Sequence, residues 1–162
     1  SSDADSDSLS YSWTAPSGIT PTSVSDTLSL TFVAPEVSED TDYTFSLVVN
    51  DGTVDSSVST VVVTVKNVNK APVADAGSAQ SVNEGSTVTL DGSGSSDADS
   101  DSLTYSWTAP SGITLSDANA SGPTFTAPEV STDTDYTLSL VVNDGTVDSS
   151  ASTVVVTVIH VS

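Results

Sequence analysis

The stretch YTLSLVVNDGTVDSSASTVVVTV, residues 136–158, decides the fold. Two runs, YTLSLVV (136–142) and STVVVTV (152–158), are rich in Val, Leu, Thr and Tyr, residues that suit a pleated, half-buried strand. Between them stands Asn143-Asp144-Gly145, a strong hairpin-turn signal. Working outward, STVTL (86–90) and LTYSW (103–107) are built the same way, and Gly, Pro, Asp, Asn and Ser separate the runs. Leu103, Tyr105 and Trp107 share one face of their strand, while Thr104, Ser106 and Thr108 share the other. No window holds a helical period, so the chain reads as all-β.

Repetition organises the 162 residues. Residues 1–20 match 95–114 with one change, Ser10 for Thr104. Residues 35–57 match 128–150 almost as closely, and the copies diverge within 21–34. A period near 93 is too long for a solenoid unit and suits a whole β-sandwich. The reading is therefore two tandem antiparallel sandwiches. Residues 69–162 form a complete repeat of roughly seven strands. Residues 1–68 form a repeat without its first two strands, because nothing corresponds to APVADAGSAQSVNEGSTVTLDGSG (71–94). Such a repeat exposes part of its core and a sheet edge. Either a longer array supplies the missing piece, which is the preferred explanation, or another chain donates it.

Two Lys and no Arg against 22 acids give a net charge of -20, which argues against nucleic acid or anionic membrane as partner. With 36% apolar residues in regular short runs, the chain is not disordered by composition. No Cys is present, so disulfides, thiolate metal sites and a cysteine nucleophile are excluded. No apolar run approaches the ~18 residues of a membrane span, and no signal peptide is seen in these residues.

NKAPVADAG (69–77), SVNEGSTVTLDGSGSSDADSDSLTYSW (81–107), FTAPEV (125–130) and YTLSLVVNDGTVDSS (136–150) together resemble the PKD-like, immunoglobulin-type domains of large secreted and surface proteins of bacteria. WTAPSG replaces the usual WDFGDG continuation, which marks a sibling branch. The junction KNVNKAPV is similar to the linker of bacterial cadherin-like domains, with Lys70 where their calcium pattern carries an acid. The resemblance implies an extracellular antiparallel sandwich used as a spacer, adhesion or carbohydrate-associated module, often with bound calcium.

Asp97-x-Asp99-x-Asp101 offers oxygen-only ligands to a hard cation such as Ca2+. It is not an EF-hand, since Ser102 stands at the turn-glycine position and Thr108 at the bidentate-Glu position. Further ligands must come from elsewhere. In an immunoglobulin-type sandwich the linker (Asn67–Lys70, with Asn69), the B–C loop and the F–G loop (Asn143, Asp144) share one end. The acidic loop of the first repeat, with Asp40 and Asp42, is expected to approach that end and form a cation-bridged joint, with Lys66 and Lys70 helping to neutralise it. Asp3, Asp5 and Asp7 repeat the motif without a preceding partner and are expected to bind more weakly. Against this stands plain solvation. Two charges ~6 Å apart in water repel by only ~0.7 kcal/mol, which a loop can bear without metal.

Trp13 and Trp107 could stack on sugars, but the Leu-x-Tyr-x-Trp alternation assigns Trp107 to the core. His160, the lone His, has no repeating constellation of partners, so no enzyme is expected. Asn119-Ala120-Ser121 fits the N-glycosylation pattern. The functional expectation is an extracellular, calcium-stiffened spacer or adhesive repeat whose partners are neighbouring repeats. One alternative is a carbohydrate-binding accessory module that contacts an extracellular polysaccharide. The other is a filament subunit completed by a strand from a second protomer.

Overall fold

A computed structural model of the chain describes residues 1–2, 8–22 and 28–162. These form two compact units, Ser1–Val68 and Asn69–Ser162, and their regular structure is strand throughout. In the first unit β1 (Ser10–Thr14), β2 (Thr41–Asn50) and β3 (Ser59–Val65) make one antiparallel sheet in the order β1-β2-β3. The second layer is represented by Phe32, whose ring lies 4.8 Å from that of Phe45.

The second unit contains β4 (Gln80–Asn83), β5 (Thr87–Thr89), β6 (Thr104–Thr108), β7 (Thr124–Thr126), β8 (Thr134–Asn143) and β9 (Ser152–Ile159). One sheet runs β4-β9-β8-β6, and β5 pairs with β7 in a second. The period-2 pattern does what it predicts. Leu138, Leu140 and Val142 on β8 and Val154, Val156 and Val158 on β9 point inward and are almost wholly buried. Val88, Leu90 and Phe125 meet them from the other sheet in one core cluster. Trp107 also sits in this cluster, and its indole N–H donates to the Ala120 carbonyl at 3.2 Å. Burying a large apolar ring while satisfying its single donor is the stable solution for tryptophan.

Three expectations need correction. The described second unit has six strands rather than seven, with an isolated Val73–Ser96 bridge beside them. The sheets are not antiparallel throughout, because β4 runs parallel to β9. The reason is the path of the preceding segment. The Ala76 N–H donates to Ser152 Oγ at the start of β9, so the chain reaches β9's open edge at its first residue and then follows its direction. Finally, the Asn143-Asp144-Gly145 signal does not make a two-residue hairpin. Residues 144–151 link β8 to β9, closed by an Asn143–Asp148 bridge, with Gly145 at φ 95°. The Asp144 carboxylate accepts the N–H groups of Thr146 and Val147, both at 2.7 Å, so aspartate builds this turn with its side chain.

Gly92 marks a close approach. A β-carbon there would lie 2.9 Å from Leu140 Cδ2, 3.0 Å from the Ser121 carbonyl oxygen and 3.3 Å from the Trp107 ring. Gly92→Ala is therefore expected to destabilise the second unit by about 1–3 kcal/mol through overpacking. Urea denaturation followed by backbone NMR of the two units checks this, with the signals of β1–β3 as internal control.

Candidate metal site in the acidic loop

The loop before β6 folds around Asp97. Its Oδ1 accepts the backbone N–H of Asp99 at 2.8 Å and of Asp101 at 3.1 Å. This arrangement is the local side-chain-to-backbone bonding that makes aspartate a turn former. Ser100, at φ 67°, turns the chain through the left-handed region, and no other described non-glycine residue adopts a positive φ. The result gathers one oxygen from each of Asp97, Asp99 and Asp101 within 4.8 Å of one another.

Each of the three carboxylates has a different environment. Asp99 is only 5% exposed, and its Oδ2 accepts the Lys70 N–H at 2.7 Å. Asp97 Oδ2 is buried and has no hydrogen-bond partner. Asp101 is exposed, and its pKa is raised above the ordinary value, first by desolvation and then by the charges of Asp97, Asp99 and Asp144. An acidic cluster that leaves one buried carboxylate oxygen unpaired fits an oxygen-seeking cation. A Ca2+ ion bonds oxygen at ~2.3–2.6 Å, so ligands on opposite sides of it stand up to ~5 Å apart, whereas the shorter bonds of Mg2+ limit that span to ~4.2 Å. The observed spacing fits calcium.

The other residues singled out in the sequence are placed as follows. Asn69 Nδ2 donates to Asp144 Oδ2 at 3.0 Å, joining the linker to the β8–β9 turn. That bond helps hold the Asp144 carboxyl below its usual range, after the stronger effect of the Val147 N–H. Asp40 is engaged inside the first unit. It pairs with Lys66 at 2.7 Å and accepts the Asn67 N–H at 2.9 Å, and both contacts lower its pKa, Lys66 first. With side chains 75% and 52% exposed, this ion pair adds little stability. Asp42 accepts the Thr64 hydroxyl across the β2–β3 ladder at 2.6 Å, as Asp135 does from Thr157. Asp3, Asp5 and Asp7 lie outside the described residues.

Glu84 was not foreseen. Its two oxygens accept the N–H groups of Val130 and Val161, and His160 Nδ1 lies 3.3 Å away. These contacts tie the end of β9 to two loops, with the Val130 N–H the largest cause of a lowered Glu84 pKa. The repeat comparison could not reveal Glu84, since it lies in the segment without a counterpart. Asp133 was equally legible only in hindsight. It accepts the His160 N–H at 2.9 Å, repeating the bond between Asp40 and Asn67.

Residues 76–158 match the family described as K319L-like, PKD domain. The chain belongs to that PKD family. Chitinase A of Pseudoalteromonas piscicida is 39% identical to it over 146 residues, covering 89% of this chain and 17% of the chitinase. The PKD chain thus spans about a sixth of that relative's length. Among solved structures, the EC1-2 fragment of human mucin-like protocadherin aligns with a TM-score of 0.63 at 21% identity, covering 93% of this chain and 85% of that one. The EC1-2 fragment of human protocadherin-24 aligns with a TM-score of 0.57 at 18% identity, covering 99% and 85%. These two likenesses are of fold. Among the described residues, no helix is long and apolar enough to cross a membrane.

Opposite pKa directions in one loop cluster make a direct test. Asp144 stabilises the fold above its ordinary value of 3.8, and that contribution is lost as pH falls through its lower folded value. Asp101 behaves oppositely, since the fold favours its protonated form and loses that contribution as pH rises through the raised value. Carboxyl-detected NMR titration should show Asp101 titrating above Asp144. Asn69→Ala removes one of several donors to Asp144, so its pKa should rise without reaching the ordinary value.

Proposed function

We propose that this PKD chain is a non-catalytic, extracellular spacer unit of a larger secreted or surface protein, and that calcium held by Asp97, Asp99 and Asp101 stiffens the acidic end of its second unit. The supporting observation is the buried, unpartnered Asp97 Oδ2 among three converging carboxylates. Calcium would supply the divalent positive charge that offsets their mutual repulsion. The loop's own residues supply the rest: Asp97 fixes the backbone, Ser100 turns it, and the Lys70 N–H orients Asp99. Near-identical repeats suit a structural role, since a stalk uses one unit many times, and its partners are then further repeats of the same kind.

Calorimetry of the full chain in chelator and in millimolar calcium tests this reading. A ligand at 100 times its Kd stabilises the folded state by about 2.7 kcal/mol, so the transition of the second unit should rise by several degrees. Asp97→Asn keeps an oxygen for the two backbone N–H groups but removes the charge. It should weaken the calcium response at least tenfold. An unchanged transition in calcium overturns the proposal.

A second reading has its own support in the chitinase A likeness, namely an accessory module in a polysaccharide-degrading system. It does not require the chain to grip sugar itself, and no aromatic side chain is exposed enough to offer a stacking platform. Incubation with chitin separates the two. Retention on chitin that survives chelator favours the accessory reading, whereas a pure spacer stays in solution.

A further inference from the structure

The strand STVVVTV occurs twice, as Ser59–Val65 of β3 and within β9 at 152–158, and its two copies have different surroundings. On β9, Val154, Val156 and Val158 are 3%, 0% and 0% exposed. On β3 the corresponding Val61 is 49% exposed, and Val63 is only half-buried. The same contrast runs through the partner strands. Leu140, Val142 and Trp107 are buried, while Leu47, Val49 and Trp13 are half-buried. Since the residues are identical, the difference lies in what covers them.

The second unit shows the cover. Segment 71–94 lays β4 along the edge of β9, with Gln80 opposite Val156 and Val82 opposite Val158. It then places Val88 and Leu90 over the valine face, each 1% exposed. Just before it, Asn69 closes over Asp144, and Ala76 is tied to Ser152. Among the described residues of the first unit, β3 is an edge strand, and a cavity lined by Leu9, Val49, Asp51 and Val54 lies beside the counterpart of that turn. An open edge and an uncovered apolar face thus occur together on the surfaces that segment 71–94 covers in the second unit.

We propose that β3 of the first unit is a strand-accepting site whose occupant is an extended segment with the pattern of residues 71–94, belonging to another repeat of this PKD kind and not already held in a sheet of its own. The register follows from the repeat. The counterpart of Gln80 lies opposite Val63 and that of Val82 opposite Val65, parallel to β3. Backbone ladder bonds hold the segment, and the alternate apolar side chains give selectivity. An intact second copy of this chain is not the occupant, because its own residues 71–94 would uncover in the donor what they cover in the acceptor.

The test adds the synthetic peptide of residues 71–94 to the full chain and follows amide exchange. Protection of residues 59–65 should rise at least tenfold, with contacts between the peptide's Val82 and Val65 of the chain in isotope-filtered NMR. Val61→Lys, at a position already exposed, should leave the fold intact and weaken binding at least tenfold. A peptide carrying Val88→Asp and Leu90→Asp should not bind. The proposal is overturned if the peptide leaves 59–65 unprotected, or docks in another register. It is equally overturned if the chain alone already protects 59–65 by self-association in sedimentation.

Discussion

The ladder between β8 and β9 is the interaction on which the second unit depends. It pairs Thr134 with Val158 through to Leu140 with Ser152, and every inward residue along it is nearly inaccessible to water. A one-residue slip would turn Leu138, Leu140, Val154 and Val156 outward at once, so the buried face locks the register. The locked register in turn sets the rest. It places Ser152 to receive Ala76, leaves β9's far edge for β4, and holds the Asn143–Asp148 bridge that shapes the neighbouring turn.

The strong negative charge is distributed by the same logic. Asp51, Asp75, Asp91, Asp97, Asp117 and Asp144 each accept a backbone N–H two residues further on. These carboxylates replace ladder bonds that the turns cannot make, and doing so keeps them ionised at the surface. Acidity is largely turn chemistry here. The loop at Asp97–Asp101 differs because its turn-forming carboxylate also has a second oxygen that finds no donor.

How much of this was legible follows from the range of each signal. Alternation in LTYSW put Leu103, Tyr105 and Trp107 on the inner face, because the period of a strand is local and its side chains report it directly. The type and spacing of Asp97, Asp99 and Asp101 likewise showed an oxygen-rich loop. The direction of β4 was not legible, since QSVN alternates equally well in either orientation, and the path through Ala76 decides it. Nor could composition separate Asp40 and Asp42, each satisfied by a neighbour across its sheet or loop, from carboxylates with coordination to spare. The left-handed Ser100 and the Lys70 N–H on Asp99 depend on backbone geometry that residue type leaves open.

The parallel pairing of β4 with β9 carries a mechanical consequence. The chain enters the second unit ahead of Gln80 and leaves it beyond Ile159, which lie at opposite ends of this short ladder. Tension applied through the two ends pulls β4 and β9 in opposite directions along their shared axis. The inter-strand hydrogen bonds are then loaded together in shear rather than opened one after another as in a zipper. A short parallel edge strand, minor in the equilibrium stability of the sheet, thereby becomes the clamp that a unit under tensile load must break first.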